Sequence, residues 1–178
     1  MTDPSAELVR GPEVSVLPAS PEAYGVLRLG RDCGEDVMAR LDAVLGSPLP
    51  RAPNTAVGAR PRLLWTAPRE WTVLDVMPAH AEAVQAACGD VLSHYADLSG
   101  ARLGLRVLGR DAARLIASEC PLDLDALAPD RCAQSVFAGM PILVDRRSGE
   151  EGFRLYVDIS LADHLRSWLA AAAEGLCG

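Results

Sequence analysis

The chain has 178 residues, a length typical of one domain that buries roughly 70% of the surface its unfolded form exposes. Hydrophobic residues make up 49% of the sequence and aromatic residues only 4%, so we expect a core built mainly from leucine, valine, alanine and isoleucine. The net charge of −7 argues against a nucleic-acid partner, because such binding depends on lysine and arginine side chains displacing counterions from phosphates.

The N-terminal sequence and the cysteines indicate a cytoplasmic protein. Residues 1–10 contain acidic residues and a proline where a signal peptide would have a basic and then an apolar stretch. No run of about 20 apolar residues occurs, so neither a membrane span nor a lipid anchor is predicted. The cysteines are odd in number and lack a C-x-x-C pair, which favours reduced thiols. They are Cys33, Cys88, Cys120, Cys132 and Cys177.

The predicted elements begin after residues 1–22, which hold four prolines and little periodicity and are expected to form a flexible arm. Residues 23–30 alternate like a strand, and residues 33–46 have the apolar spacing of a helix that ends at Gly46. The residues predicted to share the buried face of this helix are Val37, Met38, Leu41, Val44 and Leu45.

A hairpin and a second helix complete the first half of the sequence. A proline-rich loop leads to two strand-like runs, expected over residues 62–66 and 70–76, with turn residues between them. Residues 78–88 then read as a helix with a proline in its first turn.

The second half of the sequence repeats this order. A helix is expected over residues 110–119, ending ahead of Pro121, and a closing helix follows the last strand. The closing helix is predicted to place Leu161, Leu165, Trp168, Leu169 and Ala172 on one face. The strands of this half are expected over residues 91–99, 102–109, 134–139, 141–145 and 153–159.

The two halves also resemble each other in sequence. Residues 26–41, VLRLGRDCGEDVMARL, parallel residues 104–116, GLRVLGRDAARLI, which predicts a duplicated β-α-β-β-α unit. One half alone would leave the apolar face of its sheet and the apolar sides of its two helices exposed to solvent. We therefore predict an α+β fold with mainly antiparallel sheet, in which both units pack as a single domain over residues 23–178.

The stretch CPLDLDALAPDRCAQ, residues 120–134, could indicate a metal site, a redox pair or an architectural loop. Zinc ligands come in close pairs, whereas these cysteines are a dozen residues apart and the three histidines lie on different elements. The aspartates lack the spacing of a calcium loop, and a redox pair would need the Cα atoms of Cys120 and Cys132 within about 7 Å. Inert thiols are the favoured interpretation.

Other chemistry is not indicated by the motifs. The sequence has no G-x-S-x-G elbow, and His80, His94 and His164 do not suggest a triad. It also lacks the glycine-rich loops that hold flavin, nicotinamide or nucleotide phosphates. Trp65 and Trp71 could line a ligand pocket, but core packing is the favoured alternative. Arg60, Arg62, Arg146 and Arg147 could bind an anion but are expected to be ordinary surface arginines.

Residues 97–124, 132–139 and 153–169, in this order, resemble the gamma subunit of heterotetrameric sarcosine oxidase. The resemblance runs from about Tyr24 to Leu169, and residues 51–55 and 63–74 fit it too. Its most specific pieces are C-P-L-D-L at 120–124, C-A-Q at 132–134 and W-x-x-P-x-E-W at 65–71. The motif positions taken as structural candidates are Trp65, Trp71, Cys120, Pro121, Asp123, Cys132 and Gln134.

The resemblance implies a fold like the folate-binding region of the glycine-cleavage aminomethyltransferases. Those enzymes carry an acidic pair after the P-x-D-L segment, whereas here Asp145 is expected at a turn beside Arg146, so transferase catalysis by this chain is not expected. We expect Asp123 to accept hydrogen bonds from the following turn, and Cys132 and Gln134 to begin a strand. The segment is thus interpreted as architectural, with its leucines fixing the loop to the core.

The resemblance also implies partners and cofactors. In such complexes the flavins FAD and FMN, NAD, tetrahydrofolate and zinc lie on the alpha, beta and delta subunits, and gamma has no cofactor of its own. The chain is therefore expected to be a non-catalytic assembly subunit that contacts mainly the large alpha subunit. The complex would demethylate sarcosine to glycine, with hydrogen peroxide and either formaldehyde or methylene-tetrahydrofolate as products.

Two alternatives stay open at this point. The similar fold, the tryptophans and the arginines would also suit a free-standing folate-binding one-carbon-transfer protein. The chain could equally be the gamma-type subunit of a related complex that oxidises another N-methyl amino acid. The sequence of a subunit that does not contact the substrate would not indicate which amine the complex oxidises.

Overall fold

The computed structural model describes residues 8–10, 13–21, 23–76 and 78–176. These residues form two compact units. We call residues 21–100 the middle unit, and residues 1–20 together with 101–178 the terminal unit. The expectation of a single domain over residues 23–178 stays a prediction.

The elements alternate between sheet and helix along the chain. Every pairing between neighbouring strands is antiparallel, as expected for an α+β fold. In chain order they are β1 (Val9–Arg10), β2 (Ser15–Pro18), β3 (Tyr24–Leu29), α1 (Glu35–Leu45), β4 (Ala56–Val57), β5 (Arg62–Ala67), β6 (Glu70–Leu74), α2 (Pro78–Cys88), β7 (Ser93–Asp97), β8 (Arg102–Leu108), α3 (Ala112–Ala117), β9 (Arg131–Phe137), β10 (Met140–Arg146), β11 (Gly152–Asp158), a 3-10 turn (Ile159–Leu161) and α4 (Ala162–Leu176).

The middle unit has a five-stranded sheet in the order β4-β5-β6-β3-β7. Helix α1 buries Val37, Met38, Leu41 and Leu45 against it, and Val44 packs at the edge of the same cluster, so the predicted apolar face is confirmed. Gly46 ends the helix with φ of 66°, a left-handed conformation that glycine adopts without steric cost.

The terminal unit has a six-stranded sheet in the order β1-β2-β8-β11-β10-β9. Helices α3 and α4 cover one face, where residues with 0% exposure include Leu115, Ile116, Leu165 and Leu169. Alternate residues of the strands complete this core, among them Leu105, Val107, Val144 and Leu155.

Part of the expected flexible arm is a strand. Strand β2 pairs with β8 from Ser15 with Leu108 to Pro18 with Leu105, and Val14 and Val16 are buried. The chain then passes directly over Gly104, whose added Cβ would lie 2.5 Å from the carbonyl oxygen of Ala19. A local sequence pattern does not predict this pairing, because the partner strand lies about 90 residues further along the chain. Residues 1–7, 11–12 and 22 lie outside the described residues.

The duplication is visible in the topology, with one strand more per repeat than expected. The middle unit runs β3-α1-β4-β5-β6-α2, and the terminal unit runs β8-α3-β9-β10-β11-α4. In each, the first strand pairs with the fourth, the fourth with the third and the third with the second. The outer neighbour of β3 is β7, which follows α2, whereas the outer neighbour of β8 is β2, which comes from the N-terminal segment.

The expected buried face of the closing helix is wrong at Trp168. The buried stripe of α4 is Ala162, Leu165, Leu169 and Ala173, and Trp168 is 38% exposed. Leu161 belongs to the preceding 3-10 turn, so it cannot be used to count which residues of α4 share its buried face. Trp168 is one residue before Leu169 and therefore points roughly 100° away from it around the helix axis.

Among the described residues, no helix has the length and apolar character needed to cross a bilayer.

Candidate functional site

Trp65 and Trp71 face each other across the β5–β6 hairpin as a registered pair, so they share one face of the sheet as expected. A bulge between Trp65 and Ala67 interrupts the ladder beside them. Trp71 is 4% exposed and its indole Nε1 donates a hydrogen bond of 2.8 Å to the carbonyl oxygen of Pro50. Trp65 is only half-buried and packs against the core of the middle unit.

The two tryptophans line an open cleft of about 200 Å³ in the middle unit. Cys33 contributes from the segment before α1, Glu35 and Met38 from the helix itself, and Arg69 from the hairpin turn. The full lining is Cys33, Glu35, Met38, Pro50, Arg51, Trp65, Arg69 and Trp71. The tryptophans therefore serve both the core and the wall of a surface cleft.

Two hydrogen bonds to backbone atoms of the neighbouring strand region hold Arg69 at the rim of this cleft. Its Nη1 donates to the carbonyl oxygen of Gly30 at 2.8 Å, and its own carbonyl accepts from Leu29 N at 3.0 Å. Arg69 has φ of 61°, a left-handed backbone conformation that residues other than glycine adopt rarely. Burial raises the pKa of the neighbouring Cys33 thiol, although the positive charge of Arg69 acts in the opposite direction.

The Cys120–Leu124 segment is held by the terminal unit through several contacts. Cys120 and Leu124 are buried in the core, and Leu122 packs against the same cluster. The Cys120 thiol donates to Ser135 Oγ at 3.4 Å, and Asp123 Oδ1 accepts from the backbone N–H of Ala126 at 3.1 Å. The predicted turn-capping role of Asp123 is thus confirmed.

Cys120 and Cys132 lie on opposite faces of the six-stranded sheet. Cys132 is registered against Asp145, and Ser135 against Ile142, a core residue on the helix side. Because successive strand residues point to opposite faces, Cys132 points away from the face where Cys120 meets Ser135. Within the described residues, Cys33, Cys88, Cys120 and Cys132 form no disulfide; Cys177 lies outside them.

Pro121 and Gln134 are both exposed. Pro121 follows the end of α3 at Ala117 by four residues, so the helix stops earlier than the expected residue 119. Gln134 lies in β9, which begins at Arg131, close to the expected strand start at Cys132. Pro121 and Gln134 belong to the terminal unit and the two tryptophans to the middle unit.

Asp145 lies within a strand, not at a turn, because β10 continues to Arg146. Its side chain is fully buried, and Oδ2 accepts a hydrogen bond of 3.0 Å from Arg147 Nε. Arg147 Nη2 in turn donates to the hydroxyl of Tyr156 at 3.4 Å. Burial, followed by the negative charge of Asp145, raises the pKa of Tyr156 to about 12. The expectation that placed Asp145 at the turn is therefore wrong.

A second ion cluster lies along the same strands. Arg154 makes two hydrogen bonds to the carboxylate of Glu150, and Arg106 Nε lies 3.7 Å from the same carboxylate. Burial alone would raise the pKa of Glu150, but the bonds and charges of Arg154, together with Arg106, lower it below its ordinary value.

Arg62, Arg146 and Arg147, which were expected at the surface, are engaged by the fold. Arg62 is 3% exposed and donates to the carbonyl of Gly58 at 3.0 Å. Arg146 donates to the carbonyl of Leu127 and lies over the ring of Phe153 at 5.5 Å. Arg147 pairs with Asp145 as described. Their positions in or beside the strands bring these side chains to partners within the fold. The charge of the residues does not reveal this.

Among the described residues, no group of three or more histidine, cysteine, aspartate or glutamate side chains is placed to hold a metal ion. Cys33, Met38 and Arg69 were not predicted as members of the tryptophan cleft. Arg69 lies inside the W-x-x-P-x-E-W motif, so that motif was the signal that could have found it. Cys33 and Met38 join the cleft only through the tertiary fold.

Residues 30–174 match the model of the sarcosine oxidase gamma subunit family. The sarcosine oxidase subunit gamma of Corynebacterium sp. (strain U-96) is 30% identical over 139 residues, which are 75% of this chain and 67% of that protein.

Two solved structures resemble the fold. A chain of the heterotetrameric sarcosine oxidase from Corynebacterium sp. U-96, in complex with pyrrole 2-carboxylate, is 27% identical with a TM-score of 0.84, covering 96% of this chain and 89% of that one. The glycine cleavage system aminomethyltransferase T from Bartonella henselae is 16% identical with a TM-score of 0.64, covering 88% of this chain and 45% of that one. The second likeness bears on the fold alone. The family match and the 30% identical relative together place the chain among the gamma subunits of sarcosine oxidase, the family to which it belongs.

Proposed function

We propose that this chain is a non-catalytic assembly subunit of a cytoplasmic sarcosine oxidase complex. The complex would oxidise sarcosine to glycine, reduce oxygen to hydrogen peroxide, and release the methyl carbon as formaldehyde or pass it to tetrahydrofolate. FAD, FMN, NAD, tetrahydrofolate and zinc would be held by the alpha, beta and delta subunits. The main contact of this chain would be with the large alpha subunit.

One observation supports the proposal beyond the family: several side chains of the family motifs are bonded or buried within the chain itself. Trp71 Nε1 is bonded to Pro50, the Cys120 thiol to Ser135, and the Asp123 carboxylate to the turn that follows it. Cys132 is fully buried in β9. Groups that are fixed in this way fit a structural role in the proposed complex better than a catalytic one.

The test is co-expression of the tagged chain with the alpha, beta and delta subunits. We expect all three to copurify with it, and we expect the complex to lose stability when this chain is omitted. A tagged chain that folds but retains none of the three would contradict the proposal.

Cysteine variants test the non-catalytic part. We expect Cys120→Ala and Cys132→Ala to leave turnover per assembled complex at the wild-type value, because neither thiol takes part in the chemistry. Turnover is measured as hydrogen peroxide formed per mole of complex. A variant that assembles normally and yet has lost turnover would show that the chain contributes a catalytic group.

The likeness to aminomethyltransferase T supports the fold and does not by itself favour folate binding by this chain. Titration of the isolated chain with tetrahydrofolate, followed by tryptophan fluorescence, separates the alternatives. We expect no saturable change at micromolar ligand; saturable binding would favour the folate-binding alternative.

A further inference from the structure

Cys33 and Cys88 lie on opposite sides of the β5–β6 hairpin in the sequence, but the fold of the middle unit brings them to one cluster. Cys88 is 1% exposed and belongs to the core of that unit, and Cys33 is half-buried and packs against the same core. Burial is the largest cause that raises the pKa of the Cys33 thiol, and a negative charge on Cys88 adds to it. The two sulfurs are therefore close enough to influence each other.

Hydrogen bonds join the two backbone segments that carry these cysteines. The N–H of Gly30 donates to the carbonyl of Leu92 at 2.7 Å, so the segment before α1 runs beside the segment after α2. Two turn bonds fold the cysteines back toward this link. Cys33 N donates to the carbonyl of Gly30 at 3.3 Å, and Val91 N donates to the carbonyl of Cys88 at 3.2 Å. Each cysteine is thus within one turn of the bond that joins the segments.

Both cysteines lie at the ends of helices, where the backbone adjusts most easily. Cys33 precedes α1, and Cys88 is the last residue of α2, followed by Gly89 with open space around its Cα. The end of α2 stays beside α1 because Arg40 Nε donates to the carbonyl of Ala87 at 3.0 Å. A disulfide needs Cα atoms within about 7 Å, and helix ends that fray can reach this separation without unfolding the helices.

The cysteines of the terminal unit are placed differently. The Cys120 thiol is bonded to Ser135 Oγ at 3.4 Å, and Cys132 is fully buried and points to the other face of its sheet. Among the described cysteines, Cys33 is the one with partial exposure, while Cys88, Cys120 and Cys132 are buried. An oxidant in solution therefore reaches Cys33 first.

We propose that Cys33 and Cys88 form a disulfide when the chain meets hydrogen peroxide, with Cys33 oxidised first and Cys88 as the resolving thiol. The Cys33 thiolate attacks the peroxide, so that an S–O bond forms, the O–O bond breaks and the leaving hydroxide takes up a proton as water. The Cys88 sulfur then displaces the hydroxyl group of the sulfenic acid, which forms the S–S bond and releases a second water. The two thiols lose two electrons, and these reduce one peroxide to two waters.

The pKa of Cys33 sets the rate of the first step, because the thiolate is the attacking species. Burial raises this pKa above the ordinary 9.0 and outweighs the positive charges of Arg69 and Arg51. The negative charges of Cys88 and Asp36 raise it further. At neutral pH the thiolate is a small fraction that grows tenfold per pH unit, so we expect the bond to form about tenfold faster at pH 8 than at pH 7. A rate independent of pH would overturn the role of Cys33 as the attacking thiol.

Peptide mapping tests the bond itself. The full-length chain carrying Cys177→Ser is treated with hydrogen peroxide, blocked with N-ethylmaleimide and digested with trypsin. Cleavage after arginine places Cys33 in peptide 32–40 and Cys88 in peptide 70–102. We expect these peptides to be joined, with the mass of two hydrogen atoms missing, and to exceed any other linked pair at least about tenfold, since the thiols are held together. Dithiothreitol should separate them.

Single variants separate the roles of the two thiols. In Cys88→Ala the resolving thiol is absent, so we expect the sulfenic acid of Cys33 to accumulate and to be trapped by dimedone. In Cys33→Ser we expect Cys88 to stay reduced because it is buried. Cys132→Ser is the matched control and should form the bond as the parent chain does. The map of the parent chain decides the question even where a variant is less stable.

The outcomes separate this inference from the proposed function. A parent chain in which Cys33 stays reduced, or proceeds to sulfinic acid without the linked pair, overturns the inference. A different linked pair as the main product overturns it too. The test uses the chain with added peroxide, so a negative result leaves the proposed assembly role standing. Failure to copurify with the other subunits contradicts that role and does not alter the peptide map.

Discussion

Asp145 and Arg147 form an ion pair in which the aspartate side chain is fully buried and the arginine is 12% exposed. Desolvation makes such a pair a modest contributor while intact, but removing one partner leaves an uncompensated buried charge. The stability of the terminal unit therefore depends on both residues being present. Loss of one partner from an exposed ion pair has a much smaller effect.

Replacing Asp145 by alanine is expected to destabilise the protein by about 3–5 kcal/mol, because Arg147 would keep its charge in a buried site. The free energy of unfolding is measured by urea denaturation. The matched control is Asp163→Ala, which breaks the pair of a 99% exposed aspartate with Arg166 and should change stability by less than about 1 kcal/mol. Equal effects of the two variants would contradict this reading of Asp145.

Glu150 gives the terminal unit a dependence on acidic pH. Its pKa is lowered in the folded chain from the ordinary value of 4.5, so below that value the unfolded chain binds more protons than the folded one. The stabilisation is present above pH 4.5 and is lost as the pH falls through the folded pKa. We expect the melting temperature of Glu150→Gln to fall less steeply on acidification than that of wild type. Parallel curves for the two proteins would rule out this contribution.

At the scale of elements, the helices were predictable because their periodicity is local. The α1 face of Val37, Met38, Leu41 and Leu45 follows directly from the 3.6-residue repeat. Strand β4 has only two residues, too few to show alternation, so the third strand between the helices of the middle unit was not predicted. The cleft could be predicted only in part, since the motif names its tryptophans and the fold brings Cys33 and Met38 to them.

The pairing of β2 with β8 depends on close approach at one glycine. Gly104→Ala is expected to cost about 1–3 kcal/mol, because the new methyl group would lie 2.5 Å from the carbonyl oxygen of Ala19 and force the N-terminal segment away. The free energy of unfolding is again the measurement. Gly175→Ala, in α4 with open space around the position, is the control and should not destabilise the chain. A neutral Gly104→Ala would mean that the segment is readily displaced.

At the scale of the whole molecule, the terminal unit is assembled from both ends of the sequence. The N-terminal segment supplies β2 and buries Val14 and Val16, each with no more than 4% exposure. The middle unit lies between these two parts in the sequence and takes its own outer strand, β7, from the residues that follow α2. The residues of β2 are thus part of the folded terminal unit.

Removing residues 1–20 is expected to destabilise the chain by about 3–6 kcal/mol from the two valines alone, at ~1.5–3 kcal/mol for each buried side chain. Thermal unfolding of the truncated chain measures the loss. A synthetic peptide of residues 8–21 should raise its melting temperature when added in excess, whereas the same peptide with both valines replaced by aspartate should not. A truncated chain as stable as wild type would show that β2 is dispensable.

The origin of strand β2 sets an order of events while the chain is made on the ribosome. Its pairing partner β8 emerges only after the 80-odd residues that separate them have been synthesised, which takes about 5–20 s at ~5–20 residues per second. Throughout that interval β8 is not available to cover Val14 and Val16, so a newly made chain offers chaperones a hydrophobic N-terminal segment that the finished protein conceals.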